Sequence, residues 1–381
     1  MSTRIARRLA VTALVMCMCT LAPHVAVAEE HTLEPQWSAA GPDAPSLLSA
    51  DASGAAALGH TGDVVVVDSE GEELWRRSVD ASTVGPVAIG GDVVVVVADD
   101  QLLLAFDRAS GAERWRHQLA RIDSVAVGAG AAGETLAALV TEEGGVELLD
   151  GGSGAVRWTV AVPVGEKMFG SRAWITDSRV MIMWQDEEAR LRVFDVVTGA
   201  VSWGYGAPEL FTMPAVTNGI VAFTEAIRLN ARKTRVIGSM RGFAVADGRE
   251  LWTRSTRSKS GFFTGVATAA GEGGIAMVDL EGKVTALDPQ SGEVRWRRET
   301  GLLQFEAEPH VVGNVFVLPM YGTGLFAADV TDGEPIEIDA IRPGQTAMTI
   351  EATASAGNRL YLLVSFPWGD NEIWMLEPTS T

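Results

Sequence analysis

Three observations predict an all-β fold. A tryptophan recurs every 38–49 residues, hairpin signals fill each interval, and the two chain ends complete one repeat between them. Together they specify an eight-bladed β-propeller. Its blades are four antiparallel strands, and its last blade is closed by the N- and C-terminal strands.

The repeat comes first. Trp37, Trp75, Trp115, Trp158, Trp203, Trp252 and Trp296 are spaced 38, 40, 43, 45, 49 and 44 residues apart. The clearest copies read Ala105-Phe-Asp107-Arg-Ala-Ser-Gly111-Ala-Glu-Arg-Trp115 and Ala286-Leu-Asp288-Pro-Gln-Ser-Gly292-Glu-Val-Arg-Trp296. Asp150, Gly154 and Trp158 keep the spacing, as do Asp195, Gly199 and Trp203. Gly71 and Gly248 each stand four residues before a tryptophan. A weaker copy has Ala327, Asp329 and Gly333, with Glu337 where the tryptophan belongs.

Residues 86–119 show what one unit makes. Pro86 to Ile89 is a short apolar segment, and Gly90-Gly91 tolerates the positive φ of a tight hairpin. Val93 to Val97 is an unbroken valine run, the pattern of a strand buried on both faces. Asp99-Asp100 turns the chain into Leu102 to Asp107, and Ser110-Gly111 turns it into Ala112 to Leu119. Asn218-Gly219, Gly273-Gly274 and Gly313-Asn314 mark the first hairpin in later copies. The tryptophan belongs on the outermost strand, packed into the next blade. The aspartate and glycine belong in the turn before that strand. Closure follows from the ends. Trp374-Met-Leu-Glu377 leads to a terminus at the glycine position, and Leu33-Glu-Pro-Gln-Trp37 is the strand still missing. Joining them makes an eighth blade and removes the free sheet edge of an open array.

The first 28 residues read as an address. Arg4, Arg7 and Arg8 precede an apolar run from Leu9 to Ala22, and Ala26-Val27-Ala28 stands before Glu29-Glu30. This is the layout of a secretory signal peptide cleaved after Ala28, which leaves a single domain over 29–381. Cys17 and Cys19 leave with it, each preceded by a methionine rather than the small residue an acylated cysteine needs. With 30 Lys plus Arg against 49 Asp plus Glu, the chain carries −19. That balance excludes a general nucleic-acid binder, and no stable membrane span remains after cleavage.

The Ala-x-Asp-x-x-(Ser/Thr)-Gly-x-x-x-Trp pattern resembles the tryptophan-docking motif of quinoprotein alcohol dehydrogenases. Those are eight-bladed propellers that hold pyrroloquinoline quinone in the central channel. The same repeat occurs in shorter, non-enzymatic relatives of the BamB outer-membrane assembly type. The dehydrogenases imply large inserts and a pair of adjacent cysteines beside the cofactor, and neither is present in the mature chain. The resemblance therefore implies the scaffold branch. No catalytic, cofactor-binding or metal residue carries over, and no cofactor is assigned. The runner-up reading is a quinoprotein-type oxidoreductase or a quinone-binding protein; a third is the ectodomain of an anchored protein.

Other chemistry is sparse. Gly128-Ala-Gly130-Ala-Ala-Gly133 matches a dinucleotide fingerprint, but it falls at a hairpin and Asp150 is a turn residue of its blade. His31, His60, His117 and His310 have no zinc-ligand spacing. Gln185-Asp-Glu-Glu188 falls where a solvated turn is expected. Met181, Met183 and Trp184 read as strand positions. One stretch departs from the acidic average. Residues 228–259 hold Arg228, Arg232, Lys233, Arg235, Arg241, Arg249, Arg254, Arg257 and Lys259 against Asp247 and Glu250. This interval is also the longest, so a lengthened hairpin is expected between Glu225 and Gly238. Arg228, Arg232, Lys233, Arg235 and Arg241 are the candidate patch for a protein or anionic envelope polymer. The expected product is an exported, monomeric scaffold, secreted, periplasmic or envelope-associated, that binds through its rim loops.

Overall fold

The computed structural model describes residues 31–380 except 163–168, 177, 186–188, 208–213, 229–235, 259–266, 280–281, 301–307, 321–323, 339–347 and 368–370. The expected signal peptide, 1–28, lies outside the described residues. The sheets all fall within one compact unit, His31–Thr379.

Eight sheets follow one another along the chain. Blade 1 is built from Pro45–Asp51, Gly54–Gly59, Asp63–Asp68 and Glu73–Ser78, and blade 2 from Val84–Gly90, Val93–Ala98, Leu102–Asp107 and Glu113–Gln118. Four-stranded blades 3 to 6 occupy 122–161, 169–207, 215–258 and 267–299. Each is an antiparallel meander, so the first strand is innermost and the fourth outermost. The fold is the eight-bladed propeller the repeat predicts.

The valine runs behave as their composition dictates. Val93 to Val97 and Val64 to Val67 are fully buried, because both faces of these second and third strands pack against neighbouring blades. Each such valine contributes about 1.5–2 kcal/mol relative to exposure. Eight apolar clusters result, one at each blade-to-blade junction. A single blade could not bury these faces alone, so the ring is the unit of stability.

Two hairpins sit one residue away from the expected position. Their turn residues are Gly91-Asp92 and Glu272-Gly273, not Gly90-Gly91 and Gly273-Gly274. Positive φ is needed only at Gly91 (+55°), whereas a Cβ on Gly90 would meet Val127 at 2.8 Å. Gly90 thus serves close approach of the next blade. Asp99-Asp100 does form the next turn, with φ of 50° and 59°.

A bulge recurs between the third and fourth strands. It lies between Val66 and Val67, Ala105 and Phe106, Leu148 and Leu149, Val193 and Phe194, Gly242 and Phe243, and Ala286 and Leu287. The unpaired residue is the one immediately before each tryptophan, which strengthens the local twist of the outer strand. In three blades that residue is arginine, and it reaches back to the turn aspartate. Arg114 pairs with Asp107 at 2.6 Å, Arg157 with Asp150 at 3.0 Å and Arg295 with Asp288 at 3.0 Å.

Blades 7 and 8 close the ring. His310–Val312, Val315–Met320 and Gly324–Asp329 form blade 7. Thr349–Ala356, Arg359–Ser365 and Asn371–Ser380 form blade 8, and the N-terminal strand His31–Ala40 adds its outer edge. Where the repeat has Glu337 in place of tryptophan, Glu337–Ile338 leaves blade 7 and pairs in parallel with Thr32 and Leu33. This junction also holds a large apolar cluster around Leu33, Leu362 and Trp374.

Candidate functional site

The repeat residues form a latch. The indole N–H of each of Trp37, Trp75, Trp115, Trp158, Trp203, Trp252 and Trp296 donates to a turn carbonyl of the following blade, at 2.7–3.0 Å. The acceptors are Ser69, Arg108, Gly151, Val196, Val245, Pro289 and Val330. The indole lies flat on the repeat glycine of the same turn, where a Cβ would come within 2.4–2.8 Å of the ring. These glycines have φ of +64° to +86°, a second reason for glycine. The aspartate holds the turn. Asp107, Asp150 and Asp288 accept from the amides of Ser110, Ser153 and Ser291, and Asp195 from that of Thr198. Hydrogen bonds from Arg114 and Ser110 draw the Asp107 pKa down to about 2. Trp37 docks on Gly71 of blade 1, so the latch ties the N-terminal strand, on the outer side of blade 8, to blade 1.

The inner strands line the channel, and their links run from blade to blade. The Ile89 amide donates to Ser49 Oγ, the Ala173 amide to Ser124 Oγ, and Thr217 Oγ1 to the Gly271 carbonyl. On the side of blades 4 to 8 the channel opens into a cavity of about 620 Å³. Its described inner strands in blades 5 and 7, Ala215–Thr217 and His310–Val312, are three residues each, against eight for Phe169–Thr176. Arg172 of blade 4 reaches the segment before blade 7 and grips Glu308 with both nitrogens, at 2.6 and 2.5 Å.

His310 sits in the same wall. Its Nδ1 lies 2.9 Å from Ser355 Oγ and its Nε2 lies 2.8 Å from Thr353 Oγ1. Thr353 spends its own proton on the Glu308 carbonyl, 3.1 Å away, so it accepts from the ring. His310 is therefore the Nε2–H tautomer, with Ser355 donating to Nδ1. Desolvation lowers its pKa to about 4, the effect of nearby Glu308 being too small to reverse it.

The lengthened hairpin of blade 5 stands where expected. Ile220–Arg228 and Val236–Ala244 pair through Arg228 and Val236, and Glu250–Ser258 runs alongside. Arg232, Lys233, Arg235 and Lys259 lie outside the described residues. Arg228 ends its strand beside them. Arg241 instead faces blade 4: it pairs with Glu225 at 2.8 Å and Glu250 at 2.7 Å, and lies 5.7 Å from the Tyr205 ring centre. Tyr205 donates to Glu225 as well, and burial raises its pKa. Arg254 donates to the Gly292 and Ser291 carbonyls of blade 6. Gly128 to Gly133 forms part of the hairpin between Ile122–Ala129 and Thr135–Thr141. Residues 186–188 of the acidic run lie outside the described residues, between strands paired at Gln185 and Ala189.

The latch geometry coincides with the comparisons. A family model described as "Outer membrane protein assembly factor BamB" matches residues 24–163 and 142–334. The chain belongs to this BamB family. A curated relative of that description from Burkholderia pseudomallei is 23% identical over 301 residues, 76% of this chain and 66% of its own length. The match thus spans just under two thirds of that relative. The crystal structure of BamB from Moraxella catarrhalis superposes with a TM-score of 0.61 at 19% identity, over 90% of this chain and 97% of that one. The Dos1 propeller gives a TM-score of 0.65 at 12% identity over 91% and 95%. A computationally designed protein, Ika8, gives 0.61 at 15% over 91% and 99%. These structures share the fold.

The fold's quinoprotein kin raise the question of a quinone in the BamB-like channel. Pyrroloquinoline quinone carries three carboxylates and needs cations to meet them. Among the described cavity residues Arg172 is the one arginine or lysine, and Glu308 already neutralises it, with Glu272 as a second acid. These residues do not fit the quinone. Among the described residues no group of three or more His, Cys, Asp or Glu could hold a metal. Sequence reasoning missed the Arg172–Glu308 strut and the partners of His310. They lie 136 and about 45 residues apart along the chain, and no spacing signal links them.

Proposed function

We propose that this chain is an exported, non-enzymatic scaffold that holds a protein partner of the cell envelope through its rim loops, as part of an outer-membrane assembly apparatus. The observation that carries the reading is the family match across residues 24–334, laid on a ring whose blades are pinned by one repeated latch. A rigid ring presents loops at fixed separations, which suits binding rather than bond-making. Residues 1–28 supply the export address. The extended hairpin of blade 5 is the contact, with Arg228, Arg232, Lys233 and Arg235 offered to an acidic partner face, and Arg241 anchoring the hairpin through Glu225.

Two readouts in cells test this together. Mass spectrometry of the recovered protein should place its N-terminus at Glu29. A photo-cross-linking residue at Arg232 should capture a defined envelope protein, and changing Lys233 and Arg235 to Glu should abolish the capture. A chain that keeps residues 1–28, or a capture indifferent to the charge reversal, would overturn the proposal.

A further inference from the structure

From the chemistry of the channel cavity, independently of the scaffold reading, we infer that it is a binding site for a neutral oligosaccharide. Its volume of about 620 Å³ lies inside the ~300–1,000 Å³ range of small-molecule sites. The lining excludes the other ligand classes in turn. Apolar ligands would strand the polar groups of Asn218, Glu272 and Ser355, which line this space. An anion meets two carboxylates and one arginine, and that arginine is held in a bidentate pair by Glu308. For a cation, the same pair removes Glu308 from play and leaves Glu272.

What remains is a neutral ligand rich in hydroxyls, each both donor and acceptor. The wall is built for that. Because Ser355 gives its proton to His310, its oxygen presents lone pairs, while Glu272 adds acceptors and the Asn218 amide supplies both kinds of group. The Arg172–Glu308 pair is bidentate and half-exposed, so its edges offer further donors and acceptors. Trp174 follows Arg172 by two residues, hence on the same side of the strand, and lines the same cavity with an apolar face for sugar C–H groups. Ala269, Ala270 and Gly271 keep the blade 6 wall low, which lets rings approach the backbone.

Calorimetric titration of the purified protein with maltotriose, cellotriose and chitotriose tests the inference. One of the three should bind with one-to-one stoichiometry. Glu272→Gln and Ser355→Ala should each weaken it by about fivefold to tenfold, the loss of one hydrogen bond, with thermal unfolding still cooperative. Trp174→Phe should weaken it while keeping the junction filled. No heat from any trisaccharide at about 10 mM would overturn the inference. So would binding that both polar variants leave unchanged, or binding of a pentalysine peptide in place of all three sugars.

Discussion

Each glycine of the latch has two duties, and they can be separated. At Gly111 the backbone has φ of +66° and a Cβ would lie 2.7 Å from the Trp75 ring. At Gly219 φ is +72°, but nothing lies within 4 Å. Gly219→Ala should cost about 1 kcal/mol, the left-handed penalty alone. Gly111→Ala should cost about 3 kcal/mol, because the indole must also move. Urea unfolding of the two variants checks the difference, and equal costs would deny the docking contact. His310 gives a second residue-scale prediction. Its folded pKa, about 4, lies below the ~6.5 of an unfolded histidine. The folded state thus favours the neutral ring, so its contribution is complete above pH ~6.5 and is lost as pH falls toward 4, by roughly 3 kcal/mol. Latch aspartates such as Asp107 have depressed pKa values, so their losses come below that window. In His310→Gln the stability change between about pH 7 and about pH 4.5 should shrink accordingly.

At the scale of the element, the latch is legible in the sequence. Ala-x-Asp, Gly and Trp are local signals, and each does what its chemistry requires: Asp ties the turn, Gly admits the indole, Trp crosses to the next blade. The arginine before the tryptophan is visible too, but its bulge and its return to the turn aspartate are not, since a bulge is a matter of register. Arg241 stands among basic neighbours in the chain, and charge counting cannot see that Glu225 and Tyr205 come from two different blades to meet it. Blade 5 therefore carries its lengthened hairpin on a charged foundation. Arg241→Ala would leave the Glu225 carboxylate, with a side chain only 6% exposed, without its cation, at a cost of about 3 kcal/mol. Pairing it with Glu225→Gln should recover much of that loss in thermal denaturation. Reversing Arg232, Lys233 and Arg235 should instead leave stability within ~0.5 kcal/mol and change only partner capture.

For the whole molecule, the blade count is readable because tryptophan spacing sets a period, and closure is readable because the two ends are complementary fragments of one repeat. The site is less so. The cavity arises where blades 4, 5, 6, 7 and 8 face one another, and residues such as Arg172 and Glu308 share nothing in sequence. The seam is half legible: Glu337 marks the missing latch, but two residues pairing in parallel with Thr32 and Leu33 leave no local pattern to read. Everything proposed for the rims and the channel depends on the ring being shut, because an open array would fix neither loop separations nor a cavity. The two ends meet where Thr32 Oγ1 lies 2.6 Å from Thr379 Oγ1, across 347 residues of chain. The most direct measurement is therefore oxidation of a Thr32→Cys, Thr379→Cys variant with Cys17 and Cys19 changed to serine. A closed ring predicts a disulfide in the native monomer and a raised unfolding temperature. Thiols that stay free in the folded protein, or that link only separate chains, would contradict the account.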